Sequence, residues 1–228
     1  YLEEVIIFQC DEITSAGLAS AIRERPTLRS LSFSNMETSK VFTTSQFIDS
    51  LVGLKGLTCL VLQYLSISDE LLYSIAREGV PLTRLDLHSC NGYSNAGIFY
   101  LLSKYQRIQH LNLEGADYLN DQHVVQLSSF LGDLVSINLS GCREITYSAL
   151  FALAKNCSSL NEIKMERIGS NIVGNSDSDS FLEFGENCSS LSEIKMESIG
   201  SDVGHSENLV DFGVYPQLKS LYLGNNSW

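Results

Sequence analysis

A block written apolar-x-x-apolar-x-apolar-x-x-(Cys, Asn or a small or apolar residue) occurs nine times in the 228 residues, beginning at Leu2, Leu28, Leu57, Leu82, Ile108, Leu134, Leu160, Leu191 and Leu218. The intervals are 26, 29, 25, 26, 26, 26, 31 and 27 residues, so the period is about 26 and the longer steps mark insertions. Nothing else in the chain constrains its fold as strongly. A unit this short cannot bury its own apolar face, so the copies must stack side by side into one continuous core.

Within each copy the third and fifth positions after the leading residue are apolar and mostly alternate with polar ones, as in Leu82, Leu85 and Leu87 ahead of Cys90, or Leu134, Ile137 and Leu139 ahead of Cys142. That period of two predicts a short strand with one buried face. Downstream, Thr14 precedes Leu18, Ala21 and Ile22, Ser68 precedes Leu71, Leu72 and Ile75, and Thr146 precedes Leu150, Phe151 and Leu153. A hydroxyl residue ahead of apolar residues three and four apart is a helix start. The expected unit is therefore strand, turn, helix, turn, and the expected sheet is parallel.

A composition of 44% hydrophobic and 18% charged residues can supply such a core. A formal charge of -12 has the wrong sign for tracking a phosphate backbone or an anionic membrane, so neither nucleic acid nor membrane is an expected partner. No apolar run is long enough to span a bilayer, and Tyr1-Leu2-Glu3-Glu4 opens neither with an initiator Met nor with a signal peptide. Six Cys are too sparse for a disulfide scaffold, which favours a reducing compartment, cytoplasmic and/or nuclear.

The 26-residue unit with Cys10, Cys90 and Cys142 at the turn after the strand resembles the cysteine-containing class of leucine-rich repeat. That class is found chiefly in F-box/LRR proteins, many from plants, which are substrate receptors of SCF-type ubiquitin ligases. The resemblance implies an α/β leucine-rich-repeat solenoid of about nine repeats, curved, with parallel strands on the concave face and helices on the convex face. It implies a protein-protein recognition module, not an enzyme by itself, that serves ubiquitin-dependent protein catabolism. A target would sit on the concave face or rim, and a ligase adaptor and cullin would bind only through an F-box, which is not among these residues. The whole span 1–228 is expected to be one solenoid truncated within a repeat at both ends. A scaffold or inhibitor without a ubiquitin role, and an extracellular receptor ectodomain, remain as alternatives. The sequons Asn138-Leu-Ser, Asn156-Cys-Ser and Asn225-Asn-Ser are weak support for the ectodomain without a signal peptide.

No phosphate loop, nucleophile elbow or zincin motif is present, and no cofactor or metal is expected. Cys10, Cys90 and Cys142 read as buried structural thiols, and Cys157 and Cys188 share a second phase. Recognition residues should come from the second, fourth and sixth positions, which point away from the core. They include Ile6 and Phe8, an exposed apolar pair, and Arg84, Asp86, His88, His110, Asn112 and Glu114, a solvated polar cluster. They also include Glu162, Lys164 and Glu166, which a local duplication stacks on Glu193, Lys195 and Glu197. The Ser/Asp-rich insertion 171–180 follows the first of these duplicated strands and is a candidate rim loop.

Overall fold

A computed structural model describes residues 1–10, 12–35, 42–146, 148–168, 193–198 and 220–224, the last two spans as backbone. The chain divides into two units, Tyr1–Ala116 and Asp117–Trp228. In the first, strands β1 (Glu4–Phe8), β2 (Ser30–Ser34), β3 (Cys59–Gln63), β4 (Arg84–Asp86) and β5 (His110–Asn112) alternate with helices α1 (Ser15–Arg23), α2 (Ser45–Val52), α3 (Asp69–Glu78) and α4 (Asn95–Lys104). The second holds α5 (Asp121–Ser128), β6 (Ser136–Asn138), α6 (Ser148–Asn156), β7 (Glu162–Ile168), β8 (Glu193–Ser198) and β9 (Ser220–Gly224). Within each unit, sequential strands pair in parallel and in the phase of the repeat: Val5 faces Leu31, Leu31 faces Leu60, and Leu60 faces Leu85.

The phase decides what is buried. Leu31, Phe33, Leu60, Leu62, Leu85 and Leu87 have no measurable exposure, and the leading Leu28 and Leu57 none either. Helix residues at spacings of three and four meet them: Leu18 and Ile22 on α1, Phe47 and Leu51 on α2, Leu72 and Ile75 on α3, and Ile98 and Leu102 on α4. Burying a large aliphatic side chain contributes about 1.5–3 kcal/mol, so the stack of leucines is the main stabilising term.

Six of the strand exits share a feature that the apolar pattern does not announce. Seven residues after the leading position the backbone turns left-handed, at Gln9 (φ 52°), Tyr64 (φ 58°), Ser89 (φ 52°) and Arg167 (φ 56°) as well as at Gly115 (φ 77°) and Gly141 (φ 73°). Glycine occupies only two of these six turns, although a side chain there costs about 1–2 kcal/mol. Stacking in register holds the others in place.

Helix starts connect one repeat to the next. Thr14 accepts from the Gly17 amide at 3.1 Å, and Thr44 accepts from that of Phe47 at 3.4 Å. Ser68 precedes α3 but makes no such bond. Instead the next residue, Asp69, accepts from the amide of Ser94 at 2.8 Å and from its hydroxyl at 2.7 Å. One repeat thereby fixes the N-cap of the following one. Asp121 likewise accepts from the Thr146 amide at 2.7 Å and from its hydroxyl at 2.6 Å, two residues ahead of α6.

The clasp at Asp69 explains Gly97 on α4. A Cβ there would come within 2.8 Å of the Asp69 Cγ and collide with one of its carboxylate oxygens. Gly97→Ala is expected to lower the urea midpoint, at a cost of about 1–3 kcal/mol. The penalty should shrink in an Asp69→Ala background. Strictly additive penalties in that double-mutant cycle would refute the contact.

Candidate recognition face

The register lays the outward side chains of the first unit in rows across the strands. Glu4, Ser30, Cys59, Arg84 and His110 form one row, and Ile6, Ser32, Val61, Asp86 and Asn112 the next. Phe8, Ser34 and Gln63 begin a third, beyond which His88 and Glu114 lie two residues after Asp86 and Asn112. Ile6 is 53% exposed and Phe8 54%, as an outward apolar pair should be.

Around Asp86 the face differs from a solvated patch. Asp86 is only 5% exposed. One carboxylate oxygen accepts from the His88 amide at 3.0 Å, and the other accepts from the side-chain amides of Asn112 at 3.1 Å and Gln63 at 3.4 Å. His88 is engaged at both ring nitrogens, Nδ1 with the Glu114 carboxylate at 3.0 Å and Nε2 with the Tyr64 hydroxyl at 2.9 Å. A carboxylate only accepts, so Nδ1 carries a hydrogen, and in the neutral ring Nε2 accepts from Tyr64. The Tyr64 ring stands edge-on to the imidazole with centroids 4.9 Å apart. The His88 and Glu114 side chains retain 21% and 13% exposure. The cluster closes because short strands bring long polar side chains from three neighbouring repeats within reach of one carboxylate. Its chemical content is a fixed shape and charge.

Of the residues expected here, Asp86, His88, Asn112 and Glu114 meet, while His110 sits in the Arg84 row at the start of β5. Tyr64 and Gln63 were not foreseen as site residues. Gln63 was legible, since it holds an outward position, whereas Tyr64 enters through its left-handed backbone. In the second unit the duplicated strands pair with Glu162 opposite Glu193, Lys164 opposite Lys195 and Glu166 opposite Glu197. The Lys164 ammonium lies 3.5 Å from the Glu166 carboxylate, which relieves part of the like-charge stacking. Met36, Cys188, Ile199 and the 171–180 insertion lie outside the described residues, as do the side chains of Glu193, Lys195 and Glu197.

Two of the three turn cysteines are buried and the third is not. Cys90 is 5% exposed and donates to the Leu62 carbonyl of the preceding repeat at 3.1 Å, and Cys142 has no exposure. Cys10 is exposed, correcting the expectation, because no described strand precedes β1 to cover it, and its thiol donates to the Phe8 carbonyl of its own strand. Cys157 is buried near the Ser128 carbonyl at 3.9 Å. Burial pushes the Cys90 thiol up to about 12, with Asp86 adding in the same direction against a backbone hydrogen bond. Among the described residues no three His, Cys, Asp or Glu side chains converge as metal ligands would. Among them no helix is long and apolar enough to cross a membrane.

Parallel strands on one face, one helix or turn per strand and a core of phased leucines define an α/β leucine-rich-repeat solenoid. No family model matches the chain. Among solved structures it is similar to a chain of the Rad7 and Elc1 complex in yeast, with 16% identity and a TM-score of 0.54 over 96% of this chain and 67% of that one. It is also similar to an internalin (inlF) from Listeria monocytogenes, with 19% identity and a TM-score of 0.50 over 99% of this chain and 68% of that one.

Two measurements check these contacts. Asp86→Ala should destabilise the chain by about 1–3 kcal/mol, because it strands three enclosed donors, and Asp86→Asn should cost less. Equal thermal melts for Asp86→Ala and the parent chain would remove Asp86 from its central place. Cys90 should resist a thiol reagent at pH 8 in the folded chain while Cys10 labels readily. Because the folded thiol titrates higher than an unfolded one, its contribution is complete below about pH 9 and is lost as pH rises toward about 12. Stability should therefore decline on the alkaline side, and the decline should weaken in Cys90→Ala.

Proposed function

We propose that the chain is a protein-protein recognition module, non-catalytic by itself, whose outward sheet face holds a partner protein. The observation that carries this reading is the Asp86 network: a buried carboxylate orders Tyr64, His88, Asn112 and Glu114 on a face that the leucine core does not require. Rigid, prearranged side chains on a sheet are how a repeat protein binds without reorganising. Arg84, Ile6 and Phe8 extend the candidate footprint within the first unit, and His110 borders it. The charged ladder of β7 and β8 is a candidate of the second unit by itself.

The finer reading is that this module selects targets for an SCF-type ligase, with adaptor and cullin recruited through an F-box and degradation by the proteasome in the cytoplasm or nucleus. Support comes from the repeat class with buried Cys90 and Cys142 at the turn. Likeness in fold to a chain from a complex of Rad7 with Elc1 is consistent with it.

The test is to isolate and identify a partner, then measure its affinity by calorimetry for Arg84→Glu and for Lys164→Glu combined with Lys195→Glu. Each should change the affinity about tenfold or more, about 1.4 kcal/mol, with circular dichroism unchanged. Lys55→Glu serves as a control, since Lys55 pairs with Glu78 at the end of α3, away from this face. Equal affinities across all three would place the footprint elsewhere. If removing the protein from cells leaves the partner's ubiquitination unchanged, the ligase role falls and recognition stands.

A further inference from the structure

The outward face of the first unit changes character from one side to the other. On β1 it offers Ile6 and Phe8, each more than half exposed. On β4 and beyond β5 it offers Asp86 and Glu114, both mostly enclosed. Between them stand the short side chains Ser32, Ser34 and Val61, with Gln63 turned toward Asp86, to which its amide donates. An apolar shelf and an acidic end are thus joined by a low stretch.

The acidic end has a particular electrostatic state. Among the described residues the donors to Asp86 are neutral, two side-chain amides and one backbone amide, so the buried charge is solvated by dipoles and no described cation contacts it. Enclosure lowers the local dielectric and lets that charge act over a longer distance than an exposed carboxylate would. Glu114 adds a second carboxylate about one strand spacing away, and His88 between them is a cation only when protonated. Arg84, a cation on this face, stands exposed two residues before Asp86, in the neighbouring row.

We propose that the partner segment held by this face is an extended peptide that pairs an apolar side chain with a lysine or arginine. It crosses the strands, with the apolar group on Ile6 and Phe8 and the cation at Asp86 and Glu114. Three to four strand spacings of about 4.8 Å separate the two ends, about 14–19 Å. An extended chain advances about 3.3 Å per residue, so the two side chains lie about four to six residues apart. The inference rests on the recognition reading and assigns it a partner chemistry.

The experiment pans a displayed library of random peptides, each about 12 residues long, against the intact chain, then measures selected peptides by fluorescence anisotropy. Enriched sequences should carry an apolar residue and a Lys or Arg at that separation, and their binding should fall with added salt. Glu114→Gln and, separately, Phe8→Ser should each weaken them about tenfold. Phe8 is exposed, so its replacement tests the shelf without emptying the core. Absence of enrichment, enrichment of neutral or acidic peptides, or indifference to both substitutions overturns this inference. If an identified partner still responds to Arg84→Glu while selected peptides lack a cation, the partner chemistry is wrong and the recognition reading survives. If neither responds, both fall.

Discussion

Every part of this structure depends on lateral stacking of units that are individually too small to fold. A strand of three to seven residues and a helix of eight to ten cannot enclose a leucine. They do so only when the neighbouring repeat supplies the missing wall. Parallel pairing in the phase of the repeat makes this possible, because it brings identical positions together and turns the third- and fifth-position side chains of β2 to β7 inward. The Asp69 to Ser94 and Asp121 to Thr146 clasps carry the same dependence to the helix starts. Helix geometry in one repeat is thereby set by its predecessor.

That arrangement leaves the outward positions free of the core. They can vary from Ile6 to Asp86 to Lys164 without disturbing the leucines beneath, and this separation is what lets one scaffold present different chemistries along its length. The face is nevertheless not passive. Asp86 shows that an outward position can be as enclosed as a core residue when neighbouring repeats lean long amides over it, and enclosure turns a surface charge into an organising one.

Much of the architecture was legible because it rests on periodicity. Nine phased copies announce the strands, the inward leucines and the pairing of Glu162 with Glu193, all of which follow from spacing alone. The exposed Ile6 and Phe8 and the buried Cys90 and Cys142 follow from the same count. Cys10 departs from it because burial of a turn thiol is supplied by the preceding repeat, as the Cys90 bond to the Leu62 carbonyl shows. A residue's phase says where it points and not what covers it.

The amino-acid order by itself therefore determined the repeat, the alternation of strand and helix, and which side of each strand enters the core, since these need only the periods of 26 and 2. Tertiary structure decided the rest. Side-chain length and backbone hand, not spacing, join Tyr64 to His88, close the network on Asp86 and leave His110 in another row. Those contacts run between residues about one period apart, where the outcome depends on rotamers and on the left-handed exit at Tyr64. Neither is written in an apolar pattern, because both are settled by packing against neighbours that exist only after the repeats have stacked.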